Sequence, residues 1–308
     1  MLRVYLLGHF RIAFGDHEPS AKVTPICQRL LAYLLLERHR SHPRDVLTDL
    51  FWPDYDQERA RSSLNTALWR LRQALEPGEI PRGTHLLTTS VSEVGLNPDS
   101  EYWLDVAVLE AQSRQVLAKP TPEMEAADAQ TLESALQLYT GELLEGFYDD
   151  WALRARERVR RLYLNGLAHL MCYYKHQRAY QESLIYAWKI LDQDPLREEI
   201  HREIMRLYVA DGQRALALRQ YQMCCDLLMK ELGIPPMEET RALHNRIVNE
   251  VSAQTVLAVP APNSADYLQI SQQFQQVVDS FDEVRTQLQQ ALQLLNRLAE
   301  SSASKDID

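Results

Sequence analysis

The chain has 308 residues, 45% hydrophobic and 25% charged, with a formal net charge of −10. That length suits two or three domains, and the composition is that of a globular protein. The longest uninterrupted apolar run, Leu30 to Leu36, is too short to span a bilayer, and Met1 opens almost directly onto Leu2-Arg3-Val4-Tyr5-Leu6-Leu7. Neither a membrane span nor a signal peptide is therefore expected. Cys27, Cys172, Cys224 and Cys225 have no CxxC spacing, so buried free thiols and a reducing, cytoplasmic location are expected. The charge is uneven: residues 1–97 hold 12 Lys and Arg against 11 Asp and Glu, and the rest hold 21 against 32. A local anion-binding surface on an acidic protein fits that split.

In chain order, Leu2, Val4 and Leu6 alternate, then Phe10, Ile12 and Phe14, which predicts a small antiparallel sheet. Thr24-Pro25 starts a helix with Leu30, Leu31, Leu34 and Leu35 inward, broken by His42-Pro43. A short second helix follows, with Val46, Leu47 and Leu50 inward, ending near Trp52-Pro53. The third helix spans roughly Gln57 to Leu75, with Asp56 as N-cap and Pro77-Gly78 as stop. Its core face is Ala60, Leu64, Ala67, Leu68, Leu71 and Leu75. Opposite lie Arg59, Ser62, Thr66, Trp69, Arg70 and Gln73, flanked by Arg61, Asn65 and Arg72. Arginines neutralise phosphates, and Arg, Asn or Gln form paired hydrogen bonds with base edges. Leu86 to Thr89 and Val94-Gly95-Leu96 read as a hairpin. Helix, helix, long basic helix and hairpin is the order of a winged helix. Arg82 and His85 at the wing, with Arg40 and Arg44 between the first two helices, are candidate phosphate contacts.

From Asp105 to about Glu250 the pattern is helical, with candidates at 105–117, 124–140, 150–176, 178–192, 196–210, 214–231 and 238–252. The stretches from His176 to Pro195 and from Asp211 to Gly233 share a turn, a Tyr-containing helix and a breaker. Degenerate tetratricopeptide-like hairpins are expected, with a groove for other proteins. Tyr139, Trp151, Tyr208 and Tyr221 read as packing, and Arg154 to Arg161 as a solvated helix face. Residues 253–266 read as a linker. Tyr267, Ile270, Phe274, Val277, Phe281, Val284, Leu288, Ala291, Leu295 and Leu298 then recur at alternating steps of three and four. That is a coiled-coil period. The seam is read as pairing between chains, a homodimer being the simplest case, with an amphipathic helix folded back on the body as the alternative. Residues 301–308 read as a disordered tail.

The opening Leu6-Leu7-Gly8-His9-Phe10-Arg11-Ile12 resembles the first strand motif of the SARP-type bacterial antibiotic regulatory activators. Arg61 to Asn65 and Leu71 to Leu75 resemble their recognition helix. Ala135 to Leu144, Trp151, Arg158, Leu162, Asp194 to Arg202, Leu207-Tyr208, Gly212, Leu232 to Pro236 and Thr240-Arg241 resemble the bacterial transcriptional activator domain that follows it. The resemblance implies a mainly α fold. An OmpR-type winged helix (1–98) precedes an all-α tetratricopeptide-like domain (99–252), and the linker and a coiled-coil helix (267–300) follow. It also implies binding of double-stranded DNA at promoter direct repeats and recruitment of RNA polymerase. Two departures stand out. Trp69 puts a bulky ring on the DNA face, and no GxxxxGK[ST] occurs, so the ATPase module of the large members is not expected. No metal-ligand spacing, nucleophile elbow or dinucleotide fingerprint is present, so neither cofactor nor enzymatic activity is expected. The competing reading is a protein-binding scaffold whose winged helix does not read DNA, and the near-neutral charge of residues 1–97 favours it.

Overall fold

The computed structural model describes residues 1–14, 23–76, 80–87 and 92–256. Two strands open the chain, β1 (Leu2–Tyr5) and β2 (Arg11–Phe14), paired antiparallel with Val4 opposite Ile12. The alternation predicted for β1 is seen in burial, with Leu2, Val4 and Leu6 inside. Helices α1 (Pro25–Leu36), α2 (Arg44–Phe51) and α3 (Gln57–Leu75) follow. Strand β3 (His42–Pro43) pairs with β5 (Glu93–Leu96), which also pairs with β4 (Leu86–Leu87), all antiparallel. Helix, turn, helix and hairpin thus stand in the winged-helix order.

Three local expectations need correction. Helix α1 ends at Leu36, before His42-Pro43, and those two residues form a strand instead of only a break. Glu37 closes the helix through its backbone N–H to Tyr33 O, and the Arg40 N–H then turns the chain onto Glu37 O. In α2, Val46 is exposed, and Thr48 takes the inward place beside Leu47. Helix α5 spans only Ala126–Leu136, not 124–140. The residues after Leu136 leave the helix because the chain at 140–145 pairs with the end of β1.

That pairing, and a sixth strand, join the two halves. β6 (Tyr102–Leu104) lies parallel to β1, with Val4 opposite Leu104, giving the order β2-β1-β6. The expected boundary at 98/99 falls before this strand, so the chain beyond it completes the N-terminal sheet. Asp105 follows at the start of α4 (Asp105–Leu117). Its carboxylate accepts the N–H groups of Leu6 (2.8 Å), Leu7 (2.9 Å) and Val106 (2.6 Å). Burial pushes this carboxyl up from its ordinary value, while the three N–H donors and Arg11 oppose the shift. The Gly8 N–H donates to Glu142 O, and the Leu144 and Glu145 N–H groups donate to Leu6 O and Gly8 O. Gly8 has φ +85°, and a Cβ on Gly141 would lie 3.1 Å from Gly8 Cα, so both positions need glycine for this crossing.

Beyond the clasp the fold is helical. Helices α6 (Asp150–His176) and α7 (Tyr180–Gln193) form one hairpin, α8 (Glu198–Ala210) and α9 (Arg214–Leu232) a second, and α10 (Glu238–Val256) follows. Polar ties fix each pair. Ser183 Oγ donates to Met171 O at 2.8 Å, and Gln220 Nε2 meets His201 Nδ1 at 2.7 Å. Residues 1–243 form one compact unit. Helix α10 runs through Val256, past the linker start read from composition at 253. Residues 257–266, the heptad seam from Tyr267 to Leu298 and the 301–308 tail lie outside the described residues.

Replacing Asp105 by Ala leaves three N–H donors at a buried crossing without their acceptor. The expected cost is about 3 kcal/mol or more, read by urea unfolding, because each stranded buried donor costs about 1–3 kcal/mol. A loss below about 1 kcal/mol would show that water replaces the carboxylate there.

Candidate nucleic-acid interface

Helix α3 has the two faces its sequence predicts. Ala60, Leu64, Ala67, Leu68, Leu71 and Leu75 are buried, joined by Ala74. Asp56 caps the helix, its Oδ1 accepting the Arg59 N–H at 2.9 Å. Arg59, Arg61, Ser62, Asn65, Thr66, Trp69, Arg70 and Gln73 are exposed, and Arg72 is half-buried. Trp69 is 59% exposed, a large ring held in solvent on the face read as the DNA contact.

Grooves run along both sides of this ridge. One, of about 540 Å³, is lined by Arg44, Asn65, Trp69, Arg72, Arg82, Gly83 and Leu86. It brings α2, α3 and the wing together. Three guanidiniums share it, and their mutual repulsion is legible in Arg72. Burial lowers the pKa of Arg72 most, the charges of Arg82 and Arg44 lower it further, and Glu76 opposes them. Clustered cations of this kind hold a phosphate well. The second groove, of about 230 Å³, is lined in part by Ser62, Thr66, Arg70 and Trp52.

Several predicted contacts are already engaged within the chain. Arg44 Nη1 donates to Asn65 Oδ1 at 2.8 Å, which ties the start of α2 to α3. Arg61 Nη2 pairs with Asp45 at 3.1 Å, and the Arg59 guanidinium lies 4.2 Å above the Tyr55 ring. The Thr66 hydroxyl donates to Ser62 O at 3.0 Å. Arg40 pairs with Glu37 at 2.9 Å. His85, expected at the wing surface, is buried, its Nδ1 lying 2.6 Å from Ser100 Oγ. Burial pushes its imidazole below the usual range. By contrast, Arg70 has no ion pair or hydrogen bond among the described residues.

Glu76 is the positioning residue that the sequence reading missed. Its Oε1 accepts the N–H groups of His85 (2.9 Å) and Leu86 (3.0 Å), and its Oε2 accepts that of Gly83 (3.1 Å). One carboxylate thus fastens the base of the wing to the end of α3. Gly83 has φ +92°, which makes the turn beside Arg82. The available signal was an acid at a helix C-terminus, where the dipole disfavours it unless another partner compensates.

The helical half of the chain carries a family match. Residues 104–248 match the model of the bacterial transcriptional activator domain. The chain is 27% identical over 268 residues to the regulatory protein AfsR of Streptomyces coelicolor, covering 86% of this chain and 26% of AfsR. The Streptomyces griseus AfsR is 28% identical, with the same coverage. The chain therefore spans about a quarter of the length of these relatives. The transcriptional regulatory protein MoaR1 of Mycobacterium bovis is 22% identical, covering 74% of this chain and 73% of MoaR1. A structure of Mycobacterium tuberculosis EmbR in complex with a low-affinity phosphopeptide superposes with a TM-score of 0.65. It covers 81% of this chain and 65% of EmbR at 22% identity, a likeness of fold. The resemblance to SARP-type bacterial transcriptional activators read from the motifs is borne out by these matches. Among the described residues no helix is long and apolar enough to cross a membrane.

Substituting Glu76 by Ala should free the His85 and Leu86 amides. Their hydrogen exchange is expected to quicken by about tenfold or more, with the Leu68 amide of α3 unchanged. Equal protection in the variant would show that strand pairing alone holds the wing.

Proposed function

We propose that this chain is a sequence-specific DNA-binding transcriptional regulator of the activator type. The observation that carries the reading is the α3 ridge, exposed from Ser62 to Gln73, beside a groove that gathers Arg44, Arg72 and Arg82. In this reading α3 enters the major groove. Arg70 and Gln73 are placed for base edges, and Trp69 for thymine methyl groups or sugars. Arg44, Arg72 and Arg82 receive a backbone phosphate, and the wing meets the adjacent minor groove. Arg61 and Asn65 are secondary, since each already has an internal partner. The names of the relatives, a regulatory protein and a transcriptional regulatory protein, support the same reading.

Promoter direct repeats, recruitment of RNA polymerase by the helical domain, action in the cytoplasm and dimerisation through the 267–298 seam complete the proposal. Pairing two readers raises their effective concentration on adjacent half-sites. The rival reading, a protein-binding scaffold without DNA readout, draws on the internal pairs of Arg61 and Asn65. Salt dependence separates the two, because DNA readers lose affinity steeply as salt rises.

The test is retention of fragmented genomic DNA by the full chain at about 0.15 M salt, followed by sequencing. A recurring motif, in copies about one helical turn apart, is expected. Retention without a motif, or none, favours the scaffold. With a motif in hand, Arg70→Ala is expected to cost about 1–3 kcal/mol and to relax preference at one base position. Arg82→Ala should weaken all sequences alike and reduce the salt slope by about 1. Unchanged affinity in both variants would remove α3 and the wing from the interface.

A further inference from the structure

A third cavity lies away from the proposed DNA face, where the N-terminal helices meet α6. It measures about 340 Å³ and is the work of three elements: Tyr33 and Arg40 from α1 and its following turn, Leu50 from α2, and Trp151, Arg154 and Arg158 from α6. Its floor is aromatic. Trp151 packs edge-on to Tyr33 at 5.4 Å and to Phe51 at 6.2 Å between centroids. Trp151 is only 8% exposed, yet its buried indole Nε1 has no hydrogen-bond partner among the described residues. That nitrogen is sealed from solvent, so Trp151 offers the cavity its ring and not its N–H.

The rim carries Arg40, Arg154 and Arg158 with one acid, Glu37. Arg40 is paired with Glu37 at 2.9 Å. Arg158 reaches Glu110 at 3.6 Å, a carboxylate it shares with Arg38 and Arg114. Two acids therefore serve more arginines than they can neutralise. Arg154 has neither an ion pair nor a hydrogen bond among the described residues. Aromatic side chains in the floor and surplus guanidinium charge at the rim together describe a ligand with an aromatic body and an acidic end. The volume, at the lower end of small-molecule sites, admits one or two rings.

We propose that this pocket binds a small aromatic carboxylate. The ring lies against Tyr33, Leu50 and Trp151. The carboxylate faces Arg154 and Arg158. The site does not depend on the DNA reading. It does bear on it, because the walls belong to α1 and α2, and α2 packs on α3. A ligand there links the reader to the helical domain.

Calorimetric titration of the full chain with indole-3-acetate, phenylacetate and benzoate, each beside its primary amide, tests the proposal. At least one carboxylate is expected to bind one per chain with a Kd below about 1 mM, and its amide about tenfold more weakly. Arg154→Gln, on the exposed rim, should weaken that carboxylate about tenfold at an unchanged melting temperature. No saturable binding by any of the three overturns the proposal. So does equal binding of acid and amide, or full affinity in folded Arg154→Gln.

Discussion

The structure depends on how the end of β1 is held. Leu6, Leu7 and Gly8 carry backbone groups that no strand neighbour satisfies alone. Asp105 takes two of their N–H groups, and the 140–145 segment takes the rest through Glu142 O and the Leu144 and Glu145 N–H groups. Thr140 Oγ1 adds a bond to Leu7 O at 3.2 Å, across 133 residues of sequence. Buried backbone groups must be paired somewhere. Here the partners come from the helical half, so the N-terminal sheet is finished by the domain that follows it.

That constraint makes the junction rigid, and further ties reinforce it. Arg156 on α6 donates to the carbonyls of Leu143, Leu144 and Phe147, pinning the same segment from behind. Glu110 on α4 gathers Arg38, Arg114 and Arg158 from three elements. The basic run Arg154 to Arg161, read from sequence as a solvated face, is in large part a set of such tethers. Arg160 Nη2 likewise reaches Gln193 O at 2.8 Å. An N-terminal domain mounted this way turns with the helical domain, which suits the proposed DNA-reading role.

Charge placement follows a comparable economy. The groove holding Arg44, Arg72 and Arg82 concentrates cations that are costly to leave without a counter-ion. Glu76 limits that cost and fixes the wing at the same time. The electrostatics of a chain with net charge −10 are thus decided by where a handful of arginines meet, not by the sum.

Much was readable from the sequence alone. The bounds of α3, its Asp56 cap and its buried stripe follow from local periodicity and capping, which act within a few residues. The same holds for the helical hairpins, whose breakers sit at their turns. What only tertiary structure decided was long-range pairing. Strand β6 and the shortened α5 depend on partners far along the chain, and the burial of His85 on Glu76 and Ser100 in neighbouring segments, and no local pattern encodes them. The candidate site divides the same way. Helical geometry placed Ser62, Thr66, Trp69, Arg70 and Gln73 on one exposed face. Only folding showed that Arg44 and Asn65 bind each other, that Arg61 is held by Asp45, and that Glu76 ties down the wing. Periodicity fixes the direction in which a side chain leaves its own helix, and the partner it meets there is set by another segment.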